Sequence, residues 1–228
     1  MADAPLPGIR ACVFDAYGTL FDYGSAASAC ADVLGGRGEA LTRLWRDKQM
    51  EYTWLRAVQG RHADFRQGTG EALDFVLETL AVDQPGLRQR LMSLYERLDA
   101  FPEVPDALRR LKAADLKTAI LSNGTPEMLD SAIASAGVAD LLDLVLSVEE
   151  VGVYKPHSKV YQLAVDRLGL PKEAIAFVSS NGWDAYGASA FGFRVVWCNR
   201  RRQPRERLPG APDRVIGSLA DLAALVGG

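Results

Sequence analysis

Short aliphatic runs that alternate with helical stretches constrain this chain more than any other feature. Ile9–Phe14 (IRACVF), Lys117–Leu121 (KTAIL), Leu144–Ser147 (LVLS), Ala174–Val178 (AIAFV) and Arg194–Trp197 (RVVW) are nearly continuous in apolar side chains. Strands without a polar alternation are covered on both faces, and intervening helices supply that cover. Helical stretches begin near Pro126, His157 and Trp183. The pattern predicts a parallel α/β sheet, and in such sheets ligands collect at the carboxyl ends of the strands. Asp15, Ser122, Lys155 and Ser179 fall at or just after those ends, so they are expected to converge on one crevice.

One segment interrupts the alternation. From about Tyr23 to Ala100 no strand is expected, only helical patterning. Leu41, Leu44, Trp45, Tyr52 and Leu55 form an apolar stripe at helical spacing. A second helical pattern starts near Thr69 and a third runs from about Pro85 to Leu98. FPEVPDAL, with Pro102 and Pro105, then restarts the strand–helix alternation. The expectation is a core built from residues 1–22 and 101–228, carrying a helical insertion at 23–100. A chain of 228 residues is long enough for both.

Composition removes several function classes. A net charge of −3 gives no electrostatic reason to expect nucleic acid or an anionic membrane as a partner. No apolar run is long enough to span a bilayer, and MADAPLPGIR lacks the apolar core of a signal peptide. Cys12, Cys30 and Cys198 are odd in number and widely spaced, as expected for reduced thiols in a cytoplasmic protein. His62 and His157 are not spaced as a metal pair, and LGGRG (34–38) follows no strand, so it is not a dinucleotide loop.

Four motifs each follow a predicted strand, in the order FDAYGTLFD, ILSNGTPE, VYKPHSKVY and FVSSNGWDAYGA. With LWRDKQMEYTWLR in the helical insertion, the chain resembles the haloacid dehalogenase superfamily and, within it, the (S)-2-haloacid dehalogenases. The resemblance covers nearly the whole sequence. It implies a doubly wound parallel sheet, a Rossmann-like core, with an inserted all-helical cap domain. It also implies hydrolysis of (S)-2-haloalkanoic acids to (R)-2-hydroxyalkanoic acids through an ester on Asp15, without cofactor or metal, in a homodimer.

The residues themselves point the same way. Phosphatases of that superfamily carry D-x-D-x-T, whose second Asp is general acid and base, and a G-D-x-x-x-D-type loop whose carboxylates hold Mg²⁺. Tyr17 stands at the second Asp position. Counting back from Asp184 in SSNGWD puts Ser179 and Ser180 where the other loop has Gly and Asp. A carboxylate approaching a phosphate dianion at ~4 Å, with an effective dielectric near 20, meets a repulsion on the order of 8 kcal/mol. A divalent cation is the usual remedy, and an incomplete carboxylate set holds one poorly. A 2-haloacid carries one negative charge, and its halide leaves as a stable anion that needs no protonating acid. Phosphoryl transfer is disfavoured here; halide displacement is not.

That chemistry assigns roles. Asp15 is the expected nucleophile, since aspartate carboxylates are almost fully ionised at neutral pH. Lys155 would hold it ionised and oriented. Ser122, Asn123 and Gly124 end a strand just before Thr125, a helix cap, and Pro126, the first helical position. Free backbone N–H groups there, with the Ser122 hydroxyl, suit a substrate carboxylate. Thr19 would support the geometry of the first loop. At 100° per residue Arg46 shares a helix side with Gln49, Met50 and Thr53, a mixed face suited to a cleft. By resemblance, Arg46 receives the halide with Asn123 opposite, while Ser179, Asn181 and Asp184 organise Lys155 and the hydrolytic water, Asp184 being the more basic member. Tyr161 is a further expected partner in that network. Tyr17, Met50, Phe65 and Trp183 are candidates for the apolar wall around halide and alkyl group.

Plainer readings stand beside these. Asp15 can be a turn residue, Lys155 and Arg46 solvated charges, Ser122–Gly124 an empty capping turn, and the aromatics ordinary core. Two other functions also stay open at this point: a metal-dependent phosphatase of the same superfamily, or a catalytically silent relative used for binding or assembly.

Overall fold

All four residues of β1 (Ala11–Phe14) are buried, and its neighbours pair with it on both sides. The computed structural model describes residues 4–227. The sheet continues through β2 (Lys117–Ser122), β3 (Leu144–Ser147), β4 (Ile175–Ser179), β5 (Arg194–Cys198) and β6 (Arg214–Ile216), in the spatial order β3-β2-β1-β4-β5-β6. Every neighbouring pair is parallel. That is the doubly wound order, whose direction reverses beside β1, and the crevice at the reversal is where such sheets bind ligands. Cys12, Val13 and Phe14 fill the centre with no exposure. Truncating a core Phe such as Phe14 to Ala costs about 3–5 kcal/mol.

In chain order the helices of the inserted segment are α1 (Ser25–Ser28), α2 (Ala31–Leu34), α3 (Gly38–Gln59), α4 (Phe65–Thr79) and α5 (Leu87–Tyr95). The core adds α6 (Val104–Ala113), α7 (Pro126–Ala136), α8 (Ser158–Leu168), α9 (Gly182–Phe191) and α10 (Leu222–Val226). Right-handed crossovers put α6 and α7 on one face of the sheet and α8 and α9 on the other; α6 packs on α10 and α8 on α9 accordingly. The insertion leaves and rejoins the core through adjacent backbone. Phe21 bridges Ala100, Asp22 N–H donates to Asp99 O at 2.8 Å, and Phe101 N–H donates to Leu20 O at 3.0 Å. Among the described residues no helix is long and apolar enough to cross a membrane, and Cys12, Cys30 and Cys198 are free, buried thiols.

The elements depart from the sequence pattern in three places. β6 and α10 had no periodic signal; β6 is three residues long and its middle residue, Val215, is 47% exposed. The helix expected near Thr69 begins at Phe65, because the Asp64 carboxylate caps it by accepting the Gln67 N–H at 2.7 Å. The apolar stripe of α3 is corrected most. Leu41 and Trp45 are buried, but Leu55 is 49% exposed and the rest of the buried side is Gln49, Met50 and Thr53. Polar groups can take that side because each is satisfied. Gln49 Nε2 donates to Thr69 Oγ1 at 2.6 Å, Trp45 Nε1 to Thr69 O at 2.8 Å, and Thr53 Oγ1 to Met50 O at 2.7 Å.

Candidate active site

Asp15 is the first residue beyond β1, and its N–H donates to Val178 O of β4 at 2.9 Å. The backbone therefore holds it directly over the reversal of the sheet. The residue is nearly buried, 4% exposed, and three donors meet its carboxylate. Lys155 Nζ lies 2.8 Å from Oδ1; Thr19 Oγ1 and Asn181 Nδ2 lie 2.9 and 2.8 Å from Oδ2. Thr19 Oγ1 also accepts the Ser180 N–H at 2.8 Å, which fixes the direction in which its own proton points. Oδ1 keeps lone-pair capacity, since one donor occupies it.

Lys155 is fully buried and bridges two carboxylates, reaching Asp184 Oδ2 at 2.8 Å as well. Burial alone would favour a neutral amine, but the facing Asp15 and Asp184 overturn that and raise its pKa. Asp184 moves the other way from an ordinary ion-paired carboxylate. Its burial and the nearby Asp15 charge outweigh Lys155 and a 2.8 Å hydrogen bond from Tyr161, so its pKa is raised. One lysine and two carboxylates thus share one dry site, and burial makes Asp184 readier to take a proton than an ordinary aspartate. Among the described residues no three His, Cys, Asp or Glu side chains converge as a metal-binding group.

The loops after β2 and β4 close the cluster. Asn123 Oδ1 accepts the Lys155 N–H at 3.0 Å, while among the described residues its Nδ2 donates to nothing. Ser122 is buried, and its Oγ accepts the Gly124 N–H at 3.0 Å, which orients the hydroxyl while its own O–H, among the described residues, donates to nothing. The expected cap is present, with Thr125 Oγ1 accepting the Met128 N–H at 3.3 Å. Gly124 is glycine for a local reason: an added Cβ would fall 2.8 Å from the Tyr17 hydroxyl. Ser179 Oγ accepts the Asn181 N–H at 3.1 Å, which orders Asn181 and does not touch Lys155. Among the described residues, the link from Ser179 to the lysine runs through Asn181 and Asp15.

Tyr17 occupies the place of a second aspartate without replacing its chemistry. Its ring stacks on Tyr95 and tilts against Phe65, both with centroids 5.5 Å away. Burial, then Tyr95 beside it, push its phenol well above the ordinary range, so it stays neutral at physiological pH. Phe65 is wholly buried behind it. Arg46 comes from α3 and is half-buried. Its Nη1 donates to Gln49 Oε1 at 2.8 Å and its Nη2 to Asn181 Oδ1 at 3.4 Å. It faces a cleft of about 540 Å³ that Met50, Trp183 and Asn181 also line. One residue, Asn181, therefore connects the nucleophile to the arginine.

Several residues at this site carried no motif. Tyr95 supports Tyr17 from the insertion, beside Gln49, which was expected on the helix side of Arg46 and accepts from that arginine. Arg200 Nη2 donates to Thr19 O at 2.9 Å and is ion-paired with Glu103, which secures the first loop from behind. Tyr23 lies under Arg46. A tyrosine or arginine at such places has no spacing to a motif that would single it out.

A carboxylate fixed by lysine at the reversal of a doubly wound sheet, under a helical insertion carrying an arginine, defines a hydrolase of the covalent-aspartyl kind. The chain matches the family of haloacid dehalogenase-like hydrolases over residues 9–192, and it belongs to that family. It is 46% identical to the (S)-2-haloacid dehalogenase of Pseudomonas sp. (strain YL) over 218 residues, 95% of this chain and 94% of the relative. It superposes on a dehalogenase crystal structure with an intermediate complex at a TM-score of 0.95, with 44% identity, covering 97% of this chain and 98% of the other. The L-2-haloacid dehalogenase from Xanthobacter autotrophicus with chloropropionic acid covalently bound gives a TM-score of 0.88 at 42% identity, covering 95% and 98%.

Proposed function

We propose that this protein hydrolyses (S)-2-haloalkanoic acids to (R)-2-hydroxyalkanoic acids through an ester on Asp15. The observation that carries it is a nearly buried Asp15 with a lysine and two neutral donors on its carboxylate, and a neutral Tyr17 where an acid would stand. A carboxylate oxygen of Asp15 attacks C2 opposite the halogen. The carbon–halogen bond breaks and its electron pair leaves with the halide, toward Arg46 and the free Nδ2 of Asn123. Water then attacks Cγ of Asp15 and gives its proton to Asp184, whose raised pKa suits it to accept one. The acyl–oxygen bond breaks, the departing alkoxide takes the proton back from Asp184, the second water proton passes to solvent, and Asp15 is regenerated as the carboxylate while the hydroxyacid leaves. C2 is inverted once and never touched again.

Residues 23–100 serve as the cap over a core of residues 1–22 and 101–228. The substrate carboxylate sits at the loop of Ser122 and Asn123, while Met50, Trp183 and Tyr17 enclose the alkyl group, with Phe65 backing Tyr17. The working unit is a homodimer in the cytoplasm. Support for the dimer is an apolar surface on the second half of α3, where Trp54, Leu55 and Val58 are 37%, 49% and 87% exposed; sedimentation of the purified protein tests it. Halide release from each enantiomer of 2-chloropropionate, with and without EDTA, tests the activity. Release from the (S) form alone, giving the (R) product and surviving EDTA, is expected. Retained configuration, or a Mg²⁺ requirement, would overturn it.

A further inference from the structure

Two arginines share the ring of Tyr23. The guanidinium carbon of Arg46 lies 5.2 Å from the ring centroid and that of Arg201 lies 5.1 Å from it. Arg46 comes from α3, Arg201 from the loop after β5, and Tyr23 from the segment joining core to insertion. All three line the cleft. The ring itself is held by the core. Gly18, in the loop of the nucleophile, has φ +90°, and an added Cβ there would fall 2.9 Å from Tyr23 Cε1. Tyr23 is thus a fixed plate on which both cations rest, each drawn to the negative face of the ring.

Among the described residues neither arginine is ion-paired. The carboxylates that line the cleft are otherwise placed. Asp22 Oδ1 accepts the Gly24 N–H at 2.9 Å, and Glu206 lies over Gly182 at the start of α9. Asp47 is exposed beside Arg46. The outer arginine is exposed and the inner one is half-buried against Asn181, itself bonded to Asp15. A small anion therefore meets positive charge at the mouth, then again at the reacting centre.

We infer that Tyr23 is a positioning residue for Arg46, and that Arg201, on the same ring, is an outer anion station that selects the carboxylate of an entering 2-haloacid. The inference rests on the proposed dehalogenation and adds to it how the anionic substrate is gathered. Steady-state kinetics with (S)-2-chloropropionate, at low ionic strength and at about 0.5 M of a non-halide salt, test it. Arg201→Gln is expected to raise KM about two- to fivefold at low salt, the range for one exposed charge, with kcat unchanged and the difference lost at high salt. Arg205→Gln removes the same charge from the same loop outside the cleft, and KM should stay put. Tyr23→Leu is expected to lower kcat roughly threefold or more, and Tyr23→Phe, which keeps the ring face, to restore it. Equal KM changes in the two arginine variants would assign the effect to net charge and overturn the station. An unchanged KM in Arg201→Gln would overturn it too. Tyr23→Phe as impaired as Tyr23→Leu would remove the ring from Arg46's support. If the unaltered protein released no halide at all, the dehalogenase reading itself would fail, a result distinct from each of these.

Discussion

The two cationic groups nearest the chemistry are held very differently. Lys155 is fully buried, bonded at 2.8 Å to each of two carboxylates and supplied by a loop of the sheet. Arg46 is half-buried, rides on a helix of the insertion, and meets the core through a 3.4 Å contact to Asn181 and the ring of Tyr23. The difference follows the work each charge does. Asp15 must be ionised and aimed before substrate arrives and again after the ester is cleaved, so its counter-charge belongs to the rigid part. The halide carries charge only as it departs, so a donor that completes the site from the other side is sufficient.

If that division holds, damage should be graded from core to cap. Asp15→Asn should abolish turnover, with a loss on the order of 10⁴-fold or more, as for other covalent nucleophiles; stopped and steady-state halide assays measure it. Lys155→Met should act on the fold as well as the rate. It leaves Asp15 and Asp184 buried without a counter-charge, which costs about 3–5 kcal/mol and should lower Tm by roughly 6–20 °C. An unchanged melting curve would mean that the lysine is not the keystone of the core cluster.

Arg46→Ala should leave the melting curve almost unaltered while slowing turnover roughly ten- to hundredfold, the worth of a charge-assisted contact of about 1.5–3 kcal/mol. Near-normal turnover would return that arginine to the solvated surface and collapse the contrast. Tyr161→Phe is the mildest change, a few-fold loss at neutral pH. The Tyr161 hydrogen bond favours ionised Asp184, whose pKa is already raised by burial. Activity should fall as pH drops through that raised value, and removing the bond should move the acid limb to still higher pH. A limb that stays in place would separate Tyr161 from the proton acceptor.

The same contrast explains what the sequence revealed. β1 to β5 were legible because each is a contiguous apolar run, and a parallel sheet buries such runs on both faces. β6 was not, because Arg214–Ile216 is an edge of three residues with Val215 exposed. Asp15, Lys155, Asn181 and Asp184 could be named from motifs at strand ends, where topology alone makes them converge. On the cap, hydrophobic spacing misled. Leu55 read as core and is exposed, while Gln49 and Thr53 are buried by hydrogen bonds that no periodicity reports. Tyr23 and Arg201 meet from opposite ends of the chain, and nothing local announces that contact.

The central claim is that a covalent ester forms on Asp15, and oxygen tracing tests it most directly. One turnover in ¹⁸O-water, with enzyme in excess over (S)-2-chloropropionate, should give hydroxyacid without label, because its new oxygen comes from the Asp15 carboxylate. Mass spectrometry of the peptide containing Asp15 should find the label there instead. Label in the hydroxyacid after that single turnover, with none on Asp15, would mean that water attacks C2 directly and would contradict the account.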